Sequence, residues 1–194
     1  MDLSLEHLSE RINQHEPVTQ SRATAPRRAA VAVLLRYQRE SPQVLLMRRA
    51  EVAGDRWSGH VSFPGGREEE SDPTLIATAV RETREEVGVD LDSNARLLGQ
   101  IDAVRAIARG KILPMSITPF VFVEEHPEQP RPSREAAEVF WLPLARAASG
   151  ELDDRYPYRK GPLRLDLPCW RYDGQVIWGL TFDMLSSLLR LIRG

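Results

Sequence analysis

The stretch from Phe63 to Val89, FPGGREEESDPTLIATAVRETREEVGV, constrains the chain most, because it joins a glycine loop to a helix with a carboxylate-rich face. Asp72 and Pro73 predict the helix start: an Asp side chain accepts from the orphan N–H groups of a first turn, and proline's fixed φ suits the first helical position. Gly88 predicts the stop. Between them Ile76, Ala79, Val80, Thr83 and Val87 recur at helical spacing and should face a core, while Glu82, Glu85 and Glu86 fall at i, i+3 and i+4 on an adjoining arc. Like charges so spaced destabilise a helix, and a hard divalent cation with oxygen ligands, Mg²⁺ or Mn²⁺, compensates them. Arg81, four residues before Glu85, takes part of that load. A solvated acidic face also explains the glutamates, but not their place one helix after Phe-Pro-Gly-Gly, a loop that lets backbone pass close to a ligand beside a metal.

Around this stretch the chain alternates strands and turns. Leu5, Leu8 and Ile12 predict a short amphipathic helix over 3–14, followed by a connector through Arg28; this arm, 1–28, packs on the main domain, 29–194, or on a second subunit of a homodimer. Ala29 to Tyr37 and Gln43 to Met47 are apolar runs of strand length joined by a polar turn, hence a hairpin. Strands are predicted again over 95–104, 117–123 and 137–142, with a basic loop over 105–111 and a Pro- and Glu-rich surface loop over 124–133. Residues 155–168 show little periodicity and predict a loop over the pocket. Asp173-Gly174 marks a hairpin turn, and Thr181 is placed to cap a last helix with an apolar stripe of Leu185, Leu188, Leu189 and Ile192. Strands outnumber helices and the acidic helix lies between strand pairs, so the class is α+β, a mixed sheet covered by helices.

Arg48, Arg49 and Arg56 lie between the first hairpin and the glycine loop. Guanidinium groups near a carboxylate-held cation suit a diphosphate, which they bond in bidentate fashion, and Arg49 and Arg56 are the substrate-binding candidates; solvated surface charge is the competing explanation. Trp57 packs or covers a base, and His60 receives no role. Glu135 and Glu138 are candidates for an acid outside the helix. With 194 residues the chain suffices for one substantial core, and a net charge of −2 argues against nucleic acid as the partner. Cys169, the only cysteine, excludes an intramolecular disulfide, and no apolar run reaches a membrane span; the expectation is a cytoplasmic protein with no membrane partner.

The stretch resembles the signature of Nudix hydrolases, G-x5-E-x7-R-E-U-x-E-E-x-G-U with U aliphatic. Gly66, Arg81, Glu82, Glu85, Glu86, Gly88 and Val89 match it, whereas Asp72 stands for the first Glu, eight residues rather than seven separate it from Arg81, and Thr83 takes an aliphatic position. Leu45, Leu46, Arg49, Ala50, Gly59 and Phe63 to Gly66 further resemble the coenzyme A pyrophosphatase branch, with one extra residue between Ala50 and Gly59, and so does the segment Ile177 to Thr181. The resemblance implies an α/β/α sandwich and hydrolysis of a nucleoside diphosphate linked to another moiety. It implies Mg²⁺ or Mn²⁺ on Glu82, Glu85 and Glu86, with Arg81 among the catalytic residues and carbonyls of Gly65 and Gly66 completing the site. Coenzyme A, nucleotide sugars and damaged nucleoside triphosphates remain alternative substrates, and a non-cleaving nucleotide-binding module is the distant alternative.

Overall fold

The computed structural model describes residues 1–39, 41–54, 57–108 and 110–194, with backbone alone at 108, 160 and 163. In chain order the elements are α1 (Leu5–Asn13), β1 (Arg27–Gln38), β2 (Ser41–Arg49), β3 (Val61–Ser62), β4 (Gly65–Arg67), α2 (Leu75–Val87), α3 (Leu91–Asn94), β5 (Ala95–Gln100), β6 (Val104–Ala108) and β7 (Lys111–Glu124). They continue as β8 (Ala136–Pro143), α4 (Leu144–Ala148), β9 (Asp153–Lys160), β10 (Leu163–Tyr172), β11 (Gln175–Trp178) and α5 (Gly179–Arg193).

Strands β1 to β8 form one sheet in the order β3-β2-β1-β7-β5, with β4 also on β1, β6 on β7 and β8 on β2. The pair β1 and β7 is parallel, and the hairpin β1 and β2 is antiparallel, so the sheet is mixed. The continuous apolar run of β1 follows from burial on both faces. Ala30, Ala32 and Leu34 pack with Ala79 and Val87 of α2, whereas Val31, Val33 and Leu35 pack with Met184, Leu185 and Leu188 of α5 and with Leu8 and Ile12 of α1. That alternation is the period-2 geometry of a strand, and it makes an α/β/α sandwich. Helix α1 is tied down further: His7 Nε2 lies 2.8 Å from the Ile192 carbonyl, and Arg11 Nε donates to that of Leu191 at 2.9 Å.

The sheet opens where the functional loop enters. Strand β1 pairs β2 only from Leu35 to Gln38 and then, from Ala29 to Val31, pairs β4 instead. Residues 63–66 fill the fork, with the Pro64 carbonyl accepting from Ala32 N at 2.9 Å. At Gly65 φ is +148° and a Cβ would lie 2.3 Å from the Ala30 carbonyl oxygen, so only glycine fits there.

Several expectations change. Helix α2 starts later than predicted: Thr74 is the cap, its hydroxyl accepting from Ala77 N at 3.1 Å, and Asp72 lies outside the helix. Gly88 does end it, in the left-handed conformation. Within α2, Thr78 is fully buried with Ala79 and Thr83, while Ile76 and Val80 are half-buried. Most of the basic stretch 105–111, predicted as a loop, is strand, since Val104–Ala108 pairs antiparallel with β7, from Val104 opposite Ile117 to Ala108 opposite Lys111, with a register shift between Arg105 and Ile107. Residues 155–168 are strands as well, β9 and β10 forming with β11 a separate three-stranded sheet. The Asp173-Gly174 turn joins β10 to β11 as predicted. Thr181 does not cap α5; its buried hydroxyl donates to the Val61 carbonyl at 2.9 Å and ties the helix to β3. Among the described residues no helix is long and apolar enough to cross a membrane.

Candidate active site

The fork in the sheet, the start of β4 and the inward face of α2 enclose a cavity of about 750 Å³. Glu82 and Glu86 enter it from α2, one turn apart, and Gly65 and Gly66 from the loop. Glu86 Oε2 accepts from Gly65 N at 2.8 Å, and a Cβ on Gly66 would lie 2.3 Å from Glu82 Oε1. The second glycine therefore makes room for a carboxylate, and the first for backbone. Arg49, at the end of β2, brings Nη1 to 3.8 Å from Glu86 Oε1.

Burial dominates the electrostatics. The Glu86 side chain is 3% exposed, and its carboxyl is pushed up to about 8, chiefly by desolvation; the Gly65 N–H works against this, and the Glu82 charge adds to it. Glu82 is raised too, again by burial first, with Arg81 opposing. Two carboxylates raised in this way lack positive charge.

Arg81 supplies some of it from below. Its Nη1 lies 3.1 Å from Glu82, 3.2 Å from Glu85 and 3.9 Å from Glu69, and its Nε donates to Asp72 at 3.0 Å. Asp72 is thus the anchor of Arg81 rather than a helix cap. It also accepts from Glu69 N and Thr78 Oγ1, both at 2.9 Å, and these bonds, that of Arg81 first, hold its carboxyl well below the usual range. The position that departs from the signature keeps a job: a shorter acid, set back before the helix, grips the arginine that orders the glutamates.

Glu85 is the outlier of the predicted trio. Its side chain is 59% exposed and turned to Arg81, and among the described residues no three His, Cys, Asp or Glu side chains converge as a ready cation cage. Glu82 and Glu86 are brought together and Glu85 stands on the adjoining arc. Oxygen donors, burial and the raised carboxyls fit a hard divalent cation.

Of the acids outside α2, Glu135 lines the cavity and its charge helps raise both Glu82 and Glu86. Glu138 does not; it accepts from Gln175 Nε2 at 2.7 Å and lies 3.7 Å from Arg48. Arg56 lies outside the described residues.

The remaining wall comes from the C-terminal sheet. Tyr156 stacks on Trp178 with ring centroids 4.3 Å apart, Tyr158 and His60 lie 5.7 and 4.9 Å from the same indole, and all four rings line the cavity. Sequence reading missed this wall, although the alternation Tyr156-x-Tyr158 is a strand signal with one aromatic face.

A family model described as the NUDIX domain matches residues 26–162. The human mitochondrial coenzyme A diphosphatase NUDT8 is 33% identical over 172 residues, 86% of this chain and 70% of that protein. An uncharacterized protein of Schizosaccharomyces pombe, C14C4.10c, is 37% identical over 142 residues, 62% of this chain, and the match spans only 42% of its length. A crystal structure of a C. elegans Ap4A hydrolase binary complex shares the fold at a TM-score of 0.53 and 20% identity, over 63% of this chain and 84% of that one. With the signature on α2 and the sandwich around it, the chain belongs to the Nudix hydrolases, pyrophosphohydrolases of nucleoside diphosphate derivatives, a family that generally works with divalent metal ions.

Proposed function

We propose that this enzyme cleaves the diphosphate of coenzyme A or its thioesters, with Mg²⁺ or Mn²⁺, to 3′,5′-ADP and a phosphopantetheine product. The observation that carries the reading is the cavity itself. It sets the buried Glu86, the half-buried Glu82 and the guanidinium of Arg49 against a long apolar and aromatic wall, room for a diphosphate with a bulky group on each side. The likeness to the human coenzyme A diphosphatase supports the same class.

Glu82 and Glu86 hold the metal, with Glu85 one helical position away as the exposed third carboxylate. When bound, the metal lowers the pKa of a water and offsets charge on the non-bridging diphosphate oxygens. Arg49 binds a diphosphate oxygen from the β2 side, where a guanidinium is worth most against a desolvated anion. Gly66 leaves room for the Glu82 carboxylate, and Gly65 lets the loop close on β1 with its N–H held to Glu86. Glu135, on the same wall but outside the metal-binding pair, takes the proton as water oxygen bonds to phosphorus and the bridging P–O bond breaks. Arg81 touches none of the reacting atoms; it positions Glu82 and Glu85.

The test is a chromatographic assay of coenzyme A, an acyl-coenzyme A and ADP-ribose with Mg²⁺ or Mn²⁺, using wild type, Glu86→Gln and Glu135→Gln. Phosphopantetheine release by wild type, cut by orders of magnitude in both variants, supports the reading. Cleavage of ADP-ribose with no phosphopantetheine from coenzyme A moves the substrate to the nucleotide sugars, and a Glu86→Gln enzyme at wild-type rate in saturating Mg²⁺ removes that residue from the metal.

A further inference from the structure

A second cavity, about 430 Å³, adjoins the first and shares Trp57, Arg67 and Met115 with it. Its charged residues are Arg27 and Arg67, which no part of the reaction above employs. Their convergence follows from strand register. In β1, residues 27, 29 and 31 point to one face, and Arg67 of β4 sits directly opposite Ala29, so both guanidiniums arise on the face whose Ala29 and Val31 line the main cavity. Arg28, one residue on, points to the other face and bonds Glu68, which also lies 3.9 Å from Arg22. The nearby carboxylate is thus taken up on the opposite side. Among the described residues no carboxylate comes within ion-pair distance of Arg27 or Arg67. Trp57 stands between the cavities with its ring half-exposed and its Nε1 donating to the Ile107 carbonyl at 3.3 Å.

We infer that the Arg27 and Arg67 cavity is a second anion site, which binds a phosphate monoester carried by the nucleoside half of the substrate. Two guanidiniums on one face with no described carboxylate in reach match a dianionic monoester better than a hydroxyl, and a doubly charged group suits them better than one carboxylate. The shared wall at Trp57 and Met115 lets one molecule occupy both cavities, its diphosphate at Arg49 and Glu86 and its monoester here. If the substrate is coenzyme A, as proposed above, the group is its 3′-phosphate, and this cavity separates it from dephospho-coenzyme A.

The test needs no turnover. Calorimetric titration of metal-free protein with 3′,5′-ADP and with 5′-AMP should show wild type favouring the former by roughly tenfold to hundredfold, the worth of one or two charge-assisted contacts. In Arg27→Gln and Arg67→Gln the ratio should fall, and in the double variant approach one; both side chains are exposed, and melting temperature confirms folding. The ratio of kcat/KM for coenzyme A over dephospho-coenzyme A should fall in parallel. Equal affinities in wild type, or a ratio unmoved in the folded double variant, overturns the inference. Failure of wild type to release phosphopantetheine defeats the coenzyme A reading alone, because the nucleotide ratio still decides the site.

Discussion

Alanine at Gly65 and alanine at Gly66 should break different properties of the same enzyme. At Gly65 the new methyl lands on backbone, 2.3 Å from the Ala30 carbonyl oxygen and 2.5 Å from Val31 Cα, at a φ of +148°. Backbone strain there costs ~1–3 kcal/mol and forced overlap another ~1–3, against a gain of ~0.4–1 from a stiffer unfolded chain. The net loss is roughly 1–6 kcal/mol, whose upper half is enough to unfold much of a marginal domain. At Gly66 the methyl meets the end of a flexible side chain, 2.3 Å from Glu82 Oε1 and 2.4 Å from Cδ. Glu82 can swing away at the cost of little more than its mostly covered pair with Arg81, so stability should change by no more than about 1.5 kcal/mol. Its carboxylate then leaves the place opposite Glu86, and displacement of a positioned group by an ångström or more costs on the order of a hundredfold in rate. Urea unfolding and kcat/KM at saturating Mg²⁺ read the two effects separately. Gly66→Ala with full activity, or with a stability loss matching that of Gly65→Ala, would refute the assignment of Glu82 to the site.

Asp72→Ala should cost about 3 kcal/mol, more than a lost helix cap, because it strips partners from a mostly covered Arg81, Thr78 and Glu69 N; a urea midpoint shift of cap size, about 1 kcal/mol, would return Asp72 to the capping role. Since its carboxyl lies below the unfolded value, that stability is present above about pH 4 and is lost as pH falls further, so the variant's deficit should shrink in acid. Glu86 has the opposite sign: with its pKa at about 8 in the folded state and 4.5 as reference, the unfolded chain gives up the proton first, and metal-free protein loses stability as pH rises from about 4.5 to 8. The ceiling is about 5 kcal/mol, and denaturant curves in chelator should show Glu86→Gln with a flatter pH dependence; an equal slope in both proteins would rule out a protonated Glu86 at neutral pH.

The sequence alone determined what depends on neighbours in the chain. The apolar run of β1, the turn before β2, the Gly88 stop and the stripe of α5 all follow from period and turn chemistry, as did the spacing that set Glu82 and Glu86 on one helix face. The sandwich came from resemblance, and the shared burial on both faces of β1 bears it out. What failed did so where tertiary contacts outrank local preference. The stretches 105–108 and 155–168 look irregular because Arg, Pro and charged residues interrupt the alternation, yet β6 pairs with β7, and β9 with β10, as strands. Asp72 and Thr181 are good caps in isolation; Arg81 and the Val61 carbonyl, brought close only by folding, are better partners. Glu135 and Glu138, three residues apart, could not be separated by spacing, and the pleat of β8 with the course of the chain before it sends just one to the cavity. Helix period and turn chemistry are short-range and can be read along the chain, whereas the environment of a charged side chain is set by residues distant in sequence, so it exists only once the sheet has closed.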